Sequence, residues 1–455
     1  VSPRSTAMRR SSRRRQGHEK MDELRRIEIN TPTLARVEGE GALELAITGD
    51  RIESLRLRIF EPPRYFEKFL EGREYTEVPD ITARICGICP VAYQMSAVAA
   101  LEQIHGVTPS PWVRAMRRVM YCGEWLKCHA LHIHLLALPD FLGFGDALTM
   151  GKAHPEVLGR GLKLQALGNE LIRLLGGRSV HPVGVRVGGV HCAPDAATAA
   201  AVADKLEAAL DDAIELVEWI ATIEVPDVTH DVVTVSLRCP DEYPMTGERI
   251  IASDGLDISV DEFEQHFREE HIPHSTALHA FYHDRPYLVG PLARLNLNSD
   301  RLSPRSRELL DHTGIRFPSH NMYHSMLARA LEIHVALEEA VRLLREYEPP
   351  ERSWAAHEPR AGTGHGATEA PRGLLWHRYE PGSDGLVRKA TIVPPTSQNQ
   401  ARIEEDIAGT LVALGLDLPA EQLRFEAERV IRNYDPCISC ATHFLTFEID
   451  RTGDR

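Results

Sequence analysis

Apolar and polar residues alternate along Ala42 to Ile47 and again along Ile52 to Phe60, with Thr48-Gly49-Asp50 between them. That period of two, broken by a turn, predicts a β-hairpin near the N-terminus, with strand-like pattern from Ile27 onward. The period then changes. Pro90 to His105, Pro111 to Leu138, Gly159 to Leu175, Ala197 to Ile223 and Met326 to Tyr347 carry apolar residues every three or four positions. Several of these stretches exceed twenty residues, the pattern of a long-helix bundle. Val225 to Leu295 is richer in β-branched residues and turns and predicts a peripheral α+β lobe. Pro349 to Thr368, rich in Pro, Gly and Ala, predicts a loop, and Leu386 to Val393 a strand. The fold class expected is mainly α with α+β parts: a long-helix bundle core, a small N-terminal β-sheet and the peripheral lobe.

Composition narrows the function classes. The chain has 455 residues, 43% hydrophobic and 26% charged, an ordinary globular balance. Its net charge of −14 argues against a general nucleic-acid binder, which needs a basic face. The longest apolar runs, such as Ala130 to Pro139, contain histidines and stop short of the roughly 20 residues that a bilayer requires. No membrane span is expected. Residues 1–26, with Arg4, Arg9, Arg10, Arg13, Arg14 and Arg15 among serines, read as a disordered arm or as sequence upstream of a true start at Met21. The arginine pairs lack the apolar stretch of an export signal.

Eight cysteines are too few for a disulfide scaffold. Four of them form two C-x-x-C pairs: Cys86-Gly87-Ile88-Cys89-Pro90 and Cys437-Ile438-Ser439-Cys440. Two thiolates at i and i+3 on a turn entering a helix converge on one metal, and the helix N-terminus favours anionic sulfur. A structural zinc with four thiolates satisfies the same pattern. Zinc ribbons, however, place their pairs some 15–20 residues apart, whereas these lie near opposite ends of the chain. On spacing alone a redox-active metal or an iron–sulfur ligand set fits better than zinc. Cys122, Cys128, Cys192 and Cys239 lack such partners and read as buried small hydrophobes. His129, His132 and His134, at i, i+3 and i+5 of one helix, read as solvated or core histidines.

Arg84-Ile85-Cys86-Gly87-Ile88-Cys89 and Asp435-Pro436-Cys437-Ile438-Ser439-Cys440-Ala441-Thr442-His443 resemble the paired signatures of the large, catalytic subunit of nickel–iron hydrogenases. Arg36-Val37-Glu38-Gly39, His181-Pro182 with Gly188-Gly189, and Pro371-Arg372-Gly373 agree with further elements of that family in order. The resemblance spans nearly the whole chain. It implies an enzyme that splits dihydrogen heterolytically at a Ni-Fe(CN)2(CO) centre. It also implies that Cys89 and Cys440 bridge the two metals while Cys86 and Cys437 are terminal on nickel. Soft thiolates suit both ions.

By the same resemblance, Arg372 faces the metals and acts in the proton step, or the thiolate of Cys437 is the base. Asp435 and Asp140 would hold the arginine, and Glu38 would relay protons. Pro395 and Thr396, in Pro394-Pro395-Thr396, match the segment that binds a cyanide ligand. Glu67 and His443 would hold a second metal, magnesium (or iron).

Two features depart from the family pattern. Tyr93 stands where a histidine is usual. Phe444 to Arg455 extend past the position where the family's precursor is cut, so 444–455 is expected to be a maturation extension after a catalytic domain over 27–443. The spacing around Cys437 resembles the cytosolic, bidirectional members that use NADP(H) or NAD(H). This chain has no glycine-rich dinucleotide fingerprint, and no flavin or iron–sulfur cluster is expected in it. The implied partners are an iron–sulfur small subunit, diaphorase-type flavin and iron–sulfur subunits, a maturation endopeptidase and nickel-insertion proteins. The rival reading is a non-catalytic scaffold with a four-cysteine zinc.

Overall fold

In a computed structural model of the chain, residues 25–443 are described. The expected arm (up to residue 24) and the extension over 444–455 lie outside them. Arg25 and Arg26 do not belong to the arm. Arg25 donates to the carbonyl of Leu418 at 2.8 Å, and Arg26 opens the first strand.

Strands β1 (Arg26–Thr31), β2 (Gly41–Thr48) and β3 (Arg51–Ile59) form an antiparallel sheet in sequence order. Their alternation buries Ile27, Ile29, Leu43, Leu45, Ile47, Leu57 and Ile59 in one core with residues of two late helices. A short helix, α1 (Phe66–Leu70), follows the sheet. The bundle consists of α2 (Pro90–His105), α3 (Pro111–Leu131), α4 (Pro155–Gly176), α5 (Ala196–Glu207), α6 (Leu210–Ala221) and α7 (Ser325–Arg345). The two helices on the N-terminal sheet are α8 (Pro395–Leu414) and α9 (Ala420–Tyr434). Among the described residues, no helix is long and apolar enough to cross a membrane.

Three expected elements differ. The long helix from Pro111 stops at Leu131 and continues as a π turn, His132–Ala137, before Leu138–Phe141. Pro139 has no N–H for the helical ladder, and the widened turn leaves the Leu136 carbonyl free to accept from Arg36 at 2.8 Å. The helix expected over Ala197 to Ile223 is two helices. A tight turn, with the Ala209 amide on the Leu206 carbonyl at 3.0 Å, separates α5 from α6. The loop expected over Pro349 to Thr368 ends early, because β4 (Gly364–Ala370) begins inside it. A Cβ on Gly366 would stand 2.2 Å from the Ser96 carbonyl of α2. These glycines mark a strand lying directly on a helix, not a flexible loop.

Strand β4 pairs with β5 (Gly373–Pro381), which pairs with β6 (Val387–Val393); the short strand Thr246–Gly247 closes the other edge. The region Val225 to Leu295 is the α+β lobe expected. It holds a three-stranded sheet (Val235–Arg238, Arg249–Ala252, Asp257–Ser259) and a hairpin (Phe267–Glu270 with His279–Tyr282). Phe263 stacks on Trp376 of β5 at 4.8 Å and ties the lobe to the central sheet.

Candidate metal centre

The two C-x-x-C turns meet. Cys89 is the N-cap of α2, and Cys437 the N-cap of the short helical turn Ile438–Ala441. The four sulfurs converge within 4.8 Å of one another, and all four residues are buried. Sγ of Cys86 lies 3.5 Å from Cys437, Cys89 lies 3.5 Å from Cys440, and Cys437 lies 2.6 Å from Cys440. These separations exceed the roughly 2.05 Å of a disulfide. The amides of Ile88 and Cys89 donate to the Cys86 sulfur at 3.3 and 3.2 Å. Burial opposes a thiolate here, but hydrogen bonds from Cys437, Cys440 and Cys89 hold Cys86 well below the usual thiol range. Burial pushes Cys437 and Cys440 up. Four soft donors in an apolar pocket, only one of which readily carries charge alone, fit a shared cation that would draw the remaining protons off.

Glu38 reaches this pocket because Gly39 permits it. Gly39 has φ 91°, and a Cβ there would stand 2.6 Å from Cβ of Ile438. The close approach gives a parallel bridge between Glu38 and Cys437, with the Ile438 amide on the Glu38 carbonyl at 3.1 Å. The carboxylate accepts from the Ser439 amide at 3.1 Å. Burial, and then the charge of Cys86, raises its pKa, while hydrogen bonds from Ser439 and Cys437 pull the other way.

Arg372, 4% exposed, sits between β4 and β5. Its Nε donates to the Asp435 carbonyl at 2.6 Å and one terminal nitrogen to the Asp435 carboxylate at 2.9 Å. Its Nη1 is buried with no hydrogen-bond partner among the described residues. Burial works against its charge, but Asp435, and then the neighbouring Cys437 and Cys89 sulfurs, hold its pKa well above the ordinary value. Asp435 ends α9 in the left-handed region, φ 60°, which Asp tolerates. Thr396, at the start of α8 beside buried Pro395, accepts from the Cys437 amide at 2.9 Å.

The structure separates Asp140 from this group. The π turn carries it to Arg36 and Arg432, with which its carboxylate pairs, rather than to Arg372. The second guanidinium at Asp435 is Arg329, at 3.4 Å. Sequence reading passed over a buried chain behind it. Arg294 donates to Glu332 at 2.8 and 2.7 Å and to Glu369 at 3.0 Å. It also holds the carbonyls of Ala370 and Pro371, at 2.8 and 3.2 Å, immediately before Arg372. The available signal was Arg329 and Glu332, charged and three apart in the apolar run of α7. Glu124 was also missed; its carboxylate accepts from the amides of Val91 and Ala92 at 2.6 and 3.0 Å, in the first turn of α2.

His129, His132 and His134 are core histidines. Cys122, Cys128 and Cys239 are buried fillers as expected, but Cys192 is exposed because it lies in the loop ahead of α5, outside any apolar face. Tyr93 is buried, its hydroxyl has no partner among the described residues, and its ring lies 5.6 Å from that of His377.

Glu67 on α1 and His443 meet at β6. The Glu67 carboxylate accepts from the Ile392 amide at 2.7 Å. His443 Nε2 lies 2.7 Å from the Ile392 carbonyl and 3.7 Å from Glu67. A carboxylate, a carbonyl and an imidazole at one point suit a divalent ion completed by water. Glu269, half-buried nearby, was not foreseen from sequence; desolvation of its carboxyl pushes it up to about 7.

The family described as nickel-dependent hydrogenase matches residues 64–159 and 259–443. The chain is 34% identical over 427 residues to sulfhydrogenase 1 subunit alpha of Pyrococcus furiosus, covering 92% of this chain and 98% of that one. It is 28% identical to the NAD-reducing hydrogenase HoxS subunit beta of Cupriavidus necator, covering 90% and 94%. A solved NAD+-reducing [NiFe]-hydrogenase in the H2-reduced state superposes with a TM-score of 0.82 at 28% identity, over 93% of this chain and all of that one. With four buried cysteines converging from opposite ends of the sequence, the chain belongs to the nickel-dependent hydrogenases, as a large subunit of that family.

Proposed function

We propose that this chain catalyses the reversible splitting of dihydrogen at a nickel–iron centre held by Cys86, Cys89, Cys437 and Cys440, and passes the electrons to partner subunits. The observation that carries the reading is the buried four-sulfur cluster with Arg372 fixed beside it. When bound, the centre supplies heterolytic cleavage of dihydrogen. Each C-x-x-C turn would give the centre two thiolates, with Cys89 beside Cys440 and Cys86 beside Cys437, in keeping with the roles that the resemblance implies for them. Arg372 keeps its charge, held by Asp435 and the neighbouring sulfurs, so its role is electrostatic and Cys437 is the better base. Glu38, with its raised pKa beside Cys437, takes the proton onward. Thr396 braces the Cys437 amide, and its hydroxyl hydrogen stays free for a small anionic ligand such as cyanide. Glu67 and His443 hold the magnesium-class ion.

The electron route is through an iron–sulfur small subunit and diaphorase-type subunits to NAD(H) or NADP(H), in the cytoplasm, which the relatives named NAD-reducing support. Removal of 444–455 by an endopeptidase after nickel insertion completes the chain; retention of that segment in active enzyme, by intact mass, would refute the cut. The test of the function combines infrared spectroscopy with metal analysis of matured protein. Bands from metal-bound cyanide and carbon monoxide, with nickel and iron in each chain, are expected. One zinc without nickel would establish the scaffold reading instead.

A further inference from the structure

A second convergence of ligand-type side chains lies away from the four cysteines. His274, in the loop of the hairpin Phe267–Glu270/His279–Tyr282, and His279, at the start of its second strand, face Glu404 of α8. One donor atom from each lies within 4.8 Å of the other two. His274 Nε2 is 2.9 Å from a Glu404 oxygen. His279 is 3% exposed, and its Nε2 is buried with no hydrogen-bond partner among the described residues. A buried ring nitrogen left unpaired is costly unless something occupies it. Burial, then the charge of His274, pushes His279 down to about 4, so at neutral pH it is the neutral imidazole that metals require. Glu404 is oriented from outside by the Leu57 amide of β3 at 2.7 Å, the arrangement that fixes a ligating carboxylate. The nearby Arg56 guanidinium competes weakly, since it is exposed and lies 4.0 Å from Glu44.

We infer that His274, His279 and Glu404 bind a zinc-class divalent cation, in a site distinct from both the thiolate centre and the Glu67–His443 pair. Two imidazoles and one carboxylate select a borderline transition ion over magnesium or calcium. Three protein ligands leave one position for water, and the side chains of His274 and Glu404, 19% and 20% exposed, give solvent a way in. Occupancy replaces the His274–Glu404 hydrogen bond: His274 coordinates through Nε2 as the neutral ring with its proton on Nδ1. The ion pins the hairpin of the lobe to α8 and, through Leu57, to the N-terminal sheet. It is thus a clamp on the helix whose first turn braces Cys437.

The experiment uses nickel-loaded, matured protein, so that the four thiolates are already occupied. After dialysis against a chelator, zinc or cobalt(II) is titrated in. One further ion per chain is expected, with cobalt d–d bands and no sulfur-to-cobalt charge transfer. His279→Ala and Glu404→Gln should each weaken binding by at least about 100-fold, since removing a direct ligand exceeds the 10–100-fold cost of removing its support. Nickel content and the cyanide and carbon monoxide bands should not change. His274→Gln, at a partly exposed position, serves if His279→Ala does not fold. Absence of a further ion in the parent protein, or unchanged affinity in the variants, would overturn the site. Missing infrared bands would instead refute the nickel–iron reading and leave the zinc count interpretable.

Discussion

Replacing Arg294 by Met tests whether the network behind the centre is structural ballast or a support for Arg372. Arg294 is fully buried, its guanidinium 4.6 Å over the Trp125 ring, and it bridges two carboxylates. Burial alone would raise Glu332, but Arg294 and His129 hold it down to about 2 from the ordinary 4.5. At 1.36 kcal/mol per pH unit that difference is worth about 3 kcal/mol. Because the folded value is depressed, this stability is present above pH 4.5 and lost as pH falls toward 2. Breaking a buried pair on one side typically costs about 3–5 kcal/mol, which agrees.

Glu369, already pushed up to about 7 by burial despite Arg294, would simply take a proton in the variant. The destabilisation should therefore be larger at pH 8 than at pH 6. The expected result is a fall in apparent melting temperature on the order of 3–5 °C, since a chain of 455 residues shifts by about 1 °C per kcal/mol. Adding Glu332→Gln to the variant should restore at least half of it. Hydrogen uptake should fall in both, because the carbonyls of Ala370 and Pro371 lose their anchor beside Arg372. A melting temperature within 1 °C of the parent at both pH values, or full activity, would refute the reasoning.

Glu38→Gln should lower hydrogen uptake by about 10²–10⁴-fold, with the infrared bands of the centre intact; lost bands would mean a structural role instead. Gly39→Ala places a Cβ 2.6 Å from Ile438 at a φ that disfavours alanine, so nickel content should drop sharply, read by elemental analysis. Burial pushes Glu124 up to about 8, so its native form keeps a proton that the unfolded chain loses near 4.5, and stability falls as pH rises across that window. Glu124→Gln should flatten that dependence in thermal unfolding; an unchanged slope would count against it. Cys440→Ser should abolish hydrogen uptake and nickel retention, measured together.

The candidate metal ligands were legible because chemistry dictates their residue types. Soft-metal ligation needs thiolates, and a C-x-x-C turn places two of them without help from the rest of the fold. The helices were legible where the apolar period is unbroken, as in α2, whose ends at Pro90 and His105 are those of its pattern. The exceptions are positions where a partner, not the local pattern, decides. Gly364 and Gly366 read as loop residues until α2 is seen to lie against them. The period through Ala208 gives no sign of the break between α5 and α6.

From sequence alone came the class of fold, the two thiolate turns and the elements around them, because each rests on local periodicity or on a short motif. Tertiary structure alone decided that the two turns share one pocket, and that Glu38 is carried to Cys437 by the approach of Gly39 to Ile438. It also decided that Asp435 is held by Arg329 as well as Arg372, and that Asp140 serves other arginines. His274 and His279 meet Glu404 across more than a hundred residues. Electrostatic and ligand contacts act over a few ångströms of space, and sequence separation carries no measure of that distance.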